Sequence, residues 1–222
     1  MGSPRAFRAV IFDLDGVLWD GEPLYHEAFN VVLAPYGHRL TDADYMRIIG
    51  QTVEACWEWV CDKFALSTSP GRLYHLYDDA VLRLLEQPAE PLPGVRPLLA
   101  ELRRRGVPAA VASSSLRAWV DATLRGLGIG DFFQATVSVS EVEQGKPAPD
   151  LYLTAAQRLG VPPAACIAVE DTAPGIAAAR AAGMLAVQLR ASSTALPPLP
   201  EADLVLSAYS EFDLSLLNGA RA

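Results

Sequence analysis

Cysteine, histidine and methionine are scarce in this chain, three of each among 222 residues, and positive charge is short, with 18 Lys and Arg against 26 Asp and Glu for a formal net charge of −8. Each shortage removes a class of function. Cys56, Cys61 and Cys166 are odd in number, lack the paired spacing of a zinc site and sit in apolar surroundings. A disulfide framework is therefore not expected, and reduced thiols in a cytoplasmic protein are. An acidic chain without a basic face is a poor nucleic-acid binder, so no such partner is expected. No apolar run approaches the length of a membrane span, and the opening Met-Gly-Ser-Pro-Arg lacks the apolar core of a signal peptide. Gly2 would suit myristoylation, but Ala6 stands where Ser or Thr is required.

What the chain does have is a run of apolar residues, Ala9-Val-Ile-Phe, that ends on two aspartates one residue apart, Asp13 and Asp15, followed at once by Gly16. Along an extended chain, side chains at i and i+2 share a face, and a glycine next permits a sharp turn. Two such carboxylates repel one another unless a cation or a shared proton compensates, and hard oxygen ligands suit Mg²⁺. Three further polar insertions follow downstream. Val107 to Ala112 leads into Ser113-Ser114-Ser115, Gly145-Lys146-Pro147 precedes an amphipathic stretch, and Cys166 to Val169 ends in Glu170-Asp171, followed by Thr172-Ala-Pro-Gly. Taken singly, each has a commonplace reading: turn serines, a solvated loop lysine, an acidic helix cap. Their joint occurrence in this order is what separates them from coincidence.

From Gly21 to Glu90 the spacing is helical, with apolar stripes at Tyr25, Ala28, Phe29, Val32 and Leu33, then Trp57, Val60, Cys61 and Phe64, then Leu73, Leu76, Tyr77, Ala80, Val81, Leu84 and Leu85. Trp57 and Trp59 read as core of this helical region, and His26, His38 and His75 as surface or satisfied core residues. Pro88, Pro91 and Pro93 mark a return hinge. Strand and helix then alternate, with strands near 107–112, 135–139, 165–169 and 184–189 and helices between them. That alternation predicts a parallel sheet with helices on both faces.

Asp-x-Asp, Ser, Lys and an acidic pair, in this order, closely resemble the four motifs of the haloacid dehalogenase superfamily of phosphohydrolases. The resemblance implies a Rossmann-like α/β core at residues 1–18 and 92–222 and a small helical cap inserted at 19–91. Phosphoryl transfer from a monoester needs an in-line nucleophile, neutralised equatorial oxygens and a proton for the leaving alcohol. Asp13 is placed to be that nucleophile, and Asp15 to protonate the leaving oxygen and later activate water. The resemblance assigns the same roles, with the Asp15 main-chain carbonyl as a Mg²⁺ ligand. Ser113 and main-chain amides near Leu14, Asp15 and Ser114 would cradle the phosphoryl oxygens. Lys146 would offset the charge of the phosphate and of Asp13, and Asp13, Asp15, Glu170 and Asp171 would form the metal site, the last two directly or through water. Trp19 either contacts substrate or fills the hinge. Cap movement is expected at Trp19 to Gly21 and Pro88 to Pro93.

Glu22-Pro-Leu-Tyr-His-Glu looks like the first cap helix of the branch that includes β-phosphoglucomutase and phosphoglycolate phosphatase. Mutases there usually carry a histidine where Tyr25 stands, and a cap arginine where Val53 follows Gly50. Both departures favour water as the acceptor. The expectation is a Mg²⁺-dependent phosphatase of a small phosphorylated metabolite, a sugar phosphate or phosphoglycolate, with no membrane partner; a monomer is expected and a dimer left open. The alternatives are a β-phosphoglucomutase-like mutase and, from another class, a non-catalytic metabolite sensor. A dehalogenase is disfavoured because that branch lacks the second acid, Asp15.

Overall fold

In the computed structural model, which describes residues 7–192 and 197–217, the first apolar segment forms a strand buried at every position, β1 (Ala9–Phe12). Helices α1 (Glu22–Leu33), α2 (Asp42–Ile48), α3 (Val53–Phe64) and α4 (Pro70–Leu85) follow. The remainder alternates: α5 (Val95–Arg104), β2 (Ala109–Ser113), α6 (Arg117–Gly126), β3 (Ala135–Ser138), α7 (Asp150–Leu159), β4 (Cys166–Glu170), α8 (Ala173–Ala181), β5 (Leu185–Leu189) and β6 (Leu204–Leu206). The strands pair in parallel in the order β3-β2-β1-β4-β5-β6. The predicted doubly covered α/β sheet is therefore present, and β6 is an addition to it. Only three residues long and largely exposed, β6 has too short an apolar run for a periodicity to register.

Strands covered on both faces need apolar residues at every position, not at alternate ones. One face of the central strands presents Ala9, Ile11, Ala110, Ala112, Cys166 and Ala168 to Leu151, Tyr152, Ala155 and Ala156 of α7 and to Ile176, Ala178 and Ala179 of α8. The alanines there let the helices approach closely. Along a strand the intervening residues point the other way; of these, Val10, Phe12, Val111, Ile167 and Val169 are equally buried, and Phe12 meets the rings of Phe133 and Tyr209 at centroid distances of 6.2 and 6.5 Å.

The chain divides into two compact units, Met1–Asp20 with Pro88–Ala222, and Gly21–Gln87. Within the second, α4 packs along α1 and α3. Its centre is aromatic, with the Phe29 ring 4.8 Å from Trp57 and 4.4 Å from Tyr77. Thr41 opens α2 with a reciprocal cap to Asp44, and Thr52 caps α3. Asn30, absent from the apolar stripe, is buried, its Oδ1 accepting from the Leu40 amide at 2.8 Å while its Nδ2 has no hydrogen-bond partner. Leu76, placed in the third stripe by its spacing, is instead 40% exposed. At about 100° per residue it falls at the rim of the face defined by Leu73, Tyr77, Ala80, Val81 and Leu85. His26 lies 3.0 Å from the Leu40 carbonyl oxygen and stacks on Tyr45, and His38 stacks on Phe64.

An ionic clasp ties α6 and α7 to the β3 edge. Arg117 donates to Asp121, Thr136 and Glu141, while Arg158 donates to the Thr136 carbonyl and, at 2.8 Å, to Glu141 Oε1. Burial alone would raise the Glu141 carboxyl, but the Ser138 amide and the two guanidiniums outweigh it and hold it down at about 2. A carboxyl depressed in the folded state adds stability that is complete above its ordinary value of 4.5 and is lost as pH falls towards about 2. Glu141→Gln should therefore cost about 1 kcal/mol at pH 7, and the difference from the parent should shrink progressively as pH falls from 4.5 towards about 2. Urea denaturation across a pH series reads this, and a pH-independent difference would refute the clasp's role.

Candidate functional site

The chain leaves β1 for β2 and β3 on one side of the sheet, then returns to place β4, β5 and β6 on the other. Such a reversal opens a crevice beyond the carboxyl ends of the two strands that flank it, here β1 and β4. Asp13 stands immediately past β1, its amide donating to the Val169 carbonyl at 2.9 Å so that the ladder is carried one residue further. Glu170 is the last residue of β4. Lys146 reaches the same place from the turn before α7, where the Ala148 amide donates to the Gly145 carbonyl at 2.9 Å. Its ammonium donates to Asp13 Oδ1 and pairs with Glu170 Oε1, with the side chain only 5% exposed. Burial would lower Lys146, but Asp13 and Glu170 overcome it and hold the amine protonated.

Glu170 is the most heavily engaged carboxylate of the group. Besides Lys146, Oε1 accepts from the Tyr152 hydroxyl at 2.9 Å; Oε2 accepts from the amides of Asp171 and Thr172 and from the Thr172 hydroxyl at 3.0, 3.2 and 3.1 Å. Five donors exceed the roughly four lone-pair positions of a carboxylate. The helix cap that the acidic pair could have been is in fact Thr172, whose hydroxyl accepts from the Gly175 amide at 3.2 Å and opens α8. Gly175 is required there, since a Cβ would lie 1.9 Å from the Glu170 carboxylate. Asp171 is the opposite case: its Oδ1 is buried with no hydrogen-bond partner. Burial, then the Glu170 charge, pushes Asp171 up to about 7. Asp13 is driven up by burial, with Lys146 pulling the other way and Glu170 and Asp171 adding to the rise.

Asp13, Glu170 and Asp171 bring ligand oxygens within 4.8 Å of one another. An all-oxygen set with one orphaned buried carboxylate oxygen and surplus negative charge fits a hard divalent cation. Gly16 keeps this corner tight, because with φ +76° it turns the chain and its Cβ would fall 2.1 Å from Asp171 Oδ2.

The two aspartates of the opening motif part company. Asp15 lies beyond the strand, its Oδ2 accepting from the Ser115 hydroxyl at 2.9 Å and its Oδ1 from the Trp19 indole N–H at 3.1 Å. Ser113 ends β2 and is buried, its hydroxyl oxygen accepting from the Ser115 amide at 3.0 Å. Ser114 is exposed and Leu14 fully buried. Tyr152, Thr172 and Ser115 were not singled out as site residues from the sequence. Tyr152 reads there as one apolar position of an amphipathic helix, and nothing local marks its hydroxyl as a partner for a group 18 residues away.

Fold and site together define a class, a doubly wound parallel α/β protein with a lysine–carboxylate centre at the strand-order reversal. The chain belongs to the haloacid dehalogenase-like hydrolases, whose family model matches residues 7–183. It is 36% identical over 184 residues to the fructose-1-phosphate phosphatase of Escherichia coli, covering 83% of this chain and 97% of that protein. It is 33% identical over 222 residues to the β-phosphoglucomutase of Bacillus subtilis, covering 95% and 94%. The crystal structure of a putative β-phosphoglucomutase from Thermotoga maritima superposes with a TM-score of 0.79 at 28% identity, over 90% of this chain and 94% of that one.

Because Glu170 holds Lys146 in place, perturbing its surroundings should cost stability in a graded way. Tyr152→Phe, which leaves four donors on a carboxylate with roughly four lone-pair positions, should cost about 0.5–1.5 kcal/mol. Gly175→Ala, which displaces the whole carboxylate, should cost more than Tyr152→Phe by urea denaturation. Equal stability of Gly175→Ala and the parent would show that the close approach is not needed.

Proposed function

We propose that this chain is a Mg²⁺-dependent phosphatase that hydrolyses a small sugar phosphate through an aspartyl-phosphate intermediate, phosphoglycolate being the other metabolite of suitable size. The observation that carries the reading is the buried Asp13–Lys146 pair at the end of β1, beside an acidic cluster with an unpartnered oxygen on Asp171. Asp13 attacks phosphorus as the bond to the leaving alcohol breaks, and Asp15 gives that oxygen its proton. Asp15 then takes a proton from the water that attacks the aspartyl phosphate and frees inorganic phosphate. Lys146 and Ser113, with the amides of Leu14, Asp15 and Ser114, hold the phosphoryl oxygens. Asp13 and Asp171 would hold the ion directly and Glu170, already saturated, through water, with the Asp15 carbonyl as a further ligand. When bound, the ion would supply the positive charge that lets an anionic nucleophile and an anionic substrate approach.

The choice of substrate is assigned to the helical insert, residues 19–91, since the core fold hosts many activities. The fructose-1-phosphate phosphatase relative supports a sugar phosphate. A phosphosugar mutase is the second reading, favoured by the B. subtilis relative that matches nearly the whole chain. Against it stand Tyr25 and Val53, neither of which can supply the cation that a second phosphate needs.

Phosphate release with Mg²⁺ should be seen from one or a few members of a panel of hexose phosphates, fructose 1-phosphate and phosphoglycolate. Conversion of β-glucose 1-phosphate to glucose 6-phosphate without release would replace phosphatase by mutase, and silence in both assays would leave a sensor. Asp13→Asn should lower turnover by about 10³-fold or more while the protein stays folded, and near-parental hydrolysis by the folded variant would remove the mechanism. Excess chelator should silence the enzyme reversibly, restored Mg²⁺ reviving it; full activity in chelator would refute the metal assignment.

A further inference from the structure

The hydrogen bonds on Asp15 carry an inference that rests on the phosphatase reading and goes beyond it. We propose that Trp19 and Ser115 are positioning residues that clamp the Asp15 carboxylate from both sides and so determine how well it protonates the leaving alcohol. Each oxygen of Asp15 has its own donor, Trp19 Nε1 at 3.1 Å on Oδ1 and Ser115 Oγ at 2.9 Å on Oδ2. The two donors come from separate segments, one inside the turn that follows β1 and one from the loop after β2.

The indole is well fixed for this work. Its residue is 4% exposed, and its backbone is tied back on the turn, the Gly16 amide donating to the Trp19 carbonyl and the Leu18 amide to the Leu14 carbonyl, both at 2.8 Å. Asp15 and Trp19 also form an isolated parallel bridge. Burial of the ring and the hydrogen bonds of the turn together restrict its movement relative to Asp15. Ser115 is anchored in turn by its amide, which donates to Ser113 Oγ at 3.0 Å.

The two donors differ in kind. An indole N–H only donates, whereas a hydroxyl donates or accepts. Oδ1 therefore faces a group that cannot receive a proton, while Oδ2 faces one that can turn to accept from it. The clamp makes the two oxygens inequivalent and fixes the plane of the carboxyl that carries the proton for the leaving oxygen. In the first half-reaction the ester P–O bond breaks as the bond from Asp13 to phosphorus forms, and that proton passes to the departing alkoxide. A carboxyl free to rotate would spend part of its time with the proton turned away from it.

The test compares kcat/KM, which reports steps through formation of the aspartyl phosphate, for two substrates. One is the sugar phosphate hydrolysed fastest in the panel above, whose alkoxide needs a proton; the other is p-nitrophenyl phosphate, whose phenolate leaves without one. In Trp19→Phe and in Ser115→Ala the ratio of sugar-phosphate to p-nitrophenyl-phosphate kcat/KM should fall about 10-fold or more, a part of the 10²–10⁴ that a general acid supplies. Ser115→Thr, which keeps the hydroxyl, should restore the ratio. Ser115→Ala and Ser115→Thr decide the matter if Trp19→Phe does not fold. Equal losses on both substrates, or no loss on either, would overturn the clamp while leaving the phosphatase reading intact. Wild-type protein that released phosphate from neither substrate would overturn that reading and this inference with it.

Discussion

The Lys146 ammonium, buried between Asp13 and Glu170, is the interaction on which the rest of the site depends. Removing a carboxylate from water without a partner costs several kcal/mol, and two at the ends of adjacent strands would repel one another as well. Lys146 relieves both penalties at once, and Glu170 is further stabilised by Tyr152 and by the opening of α8. The surroundings are built to that requirement. Gly175 gives the Glu170 carboxylate room, Gly16 gives room to Asp171, and an alanine-rich sheet face lets α7 and α8 come near enough for Tyr152 and Thr172 to reach it. The β1–β4 pairing, the α7 turn and the α8 cap thus converge on one ammonium group.

How far the sequence discloses this depends on the range of the interaction. Asp13, Glu170 and Asp171 could be found because each follows or ends a legible apolar segment, strand ends being where a parallel sheet gathers polar groups, and Lys146 because its Gly145-Lys146-Pro147 turn opens onto an amphipathic stretch. The alternation of segments likewise disclosed the sheet, since strands covered on both faces read as unbroken apolar runs at β1, β2 and β4. β6 escaped because three half-exposed residues carry no such run. Tyr152, Ser115 and the indole N–H of Trp19 escaped for another reason. Their partners lie 18, 100 and 4 residues away, and what marks them is a hydroxyl or N–H aimed at a carboxylate, a matter of direction that periodicity does not encode. Leu76 shows the same limit from the apolar side, because a stripe gives membership of a face but not its edge.

Asp13 and Asp15 share a face only while the chain stays extended, and the glycine that follows them permits a turn. The strand ends at Phe12, and the turn stabilised by Leu18 and Trp19 carries the second carboxylate to a different set of partners. The separation has chemical content. Asp13 faces the Lys146 ammonium and is surrounded by other acids, whereas Asp15 accepts from the Trp19 indole and the Ser115 hydroxyl, and of the acids bearing on Asp13 it has the weakest effect. On the proposed reading this suits the two roles, Asp13 as nucleophile lying beside a positive charge and Asp15 as acid–base group being held by an indole and a hydroxyl. Two aspartates of one short motif are thereby given unlike environments by a single turn.

Charge also explains why the proposed chemistry calls for an ion. Asp13, Glu170 and Asp171 share one ammonium group, so the centre is left with surplus negative charge before any substrate enters. A phosphate monoester would bring still more, to a protein whose formal net charge is already −8. Attraction from the protein's overall field is therefore absent, and affinity for phosphate has to be generated within a few ångströms of Asp13. A divalent cation on Asp13 and Asp171 would offset that surplus at the place where the phosphoryl group must approach. The proposed site thus gains its attraction for phosphate only when charged with metal, which ties substrate binding and catalysis to the same ion.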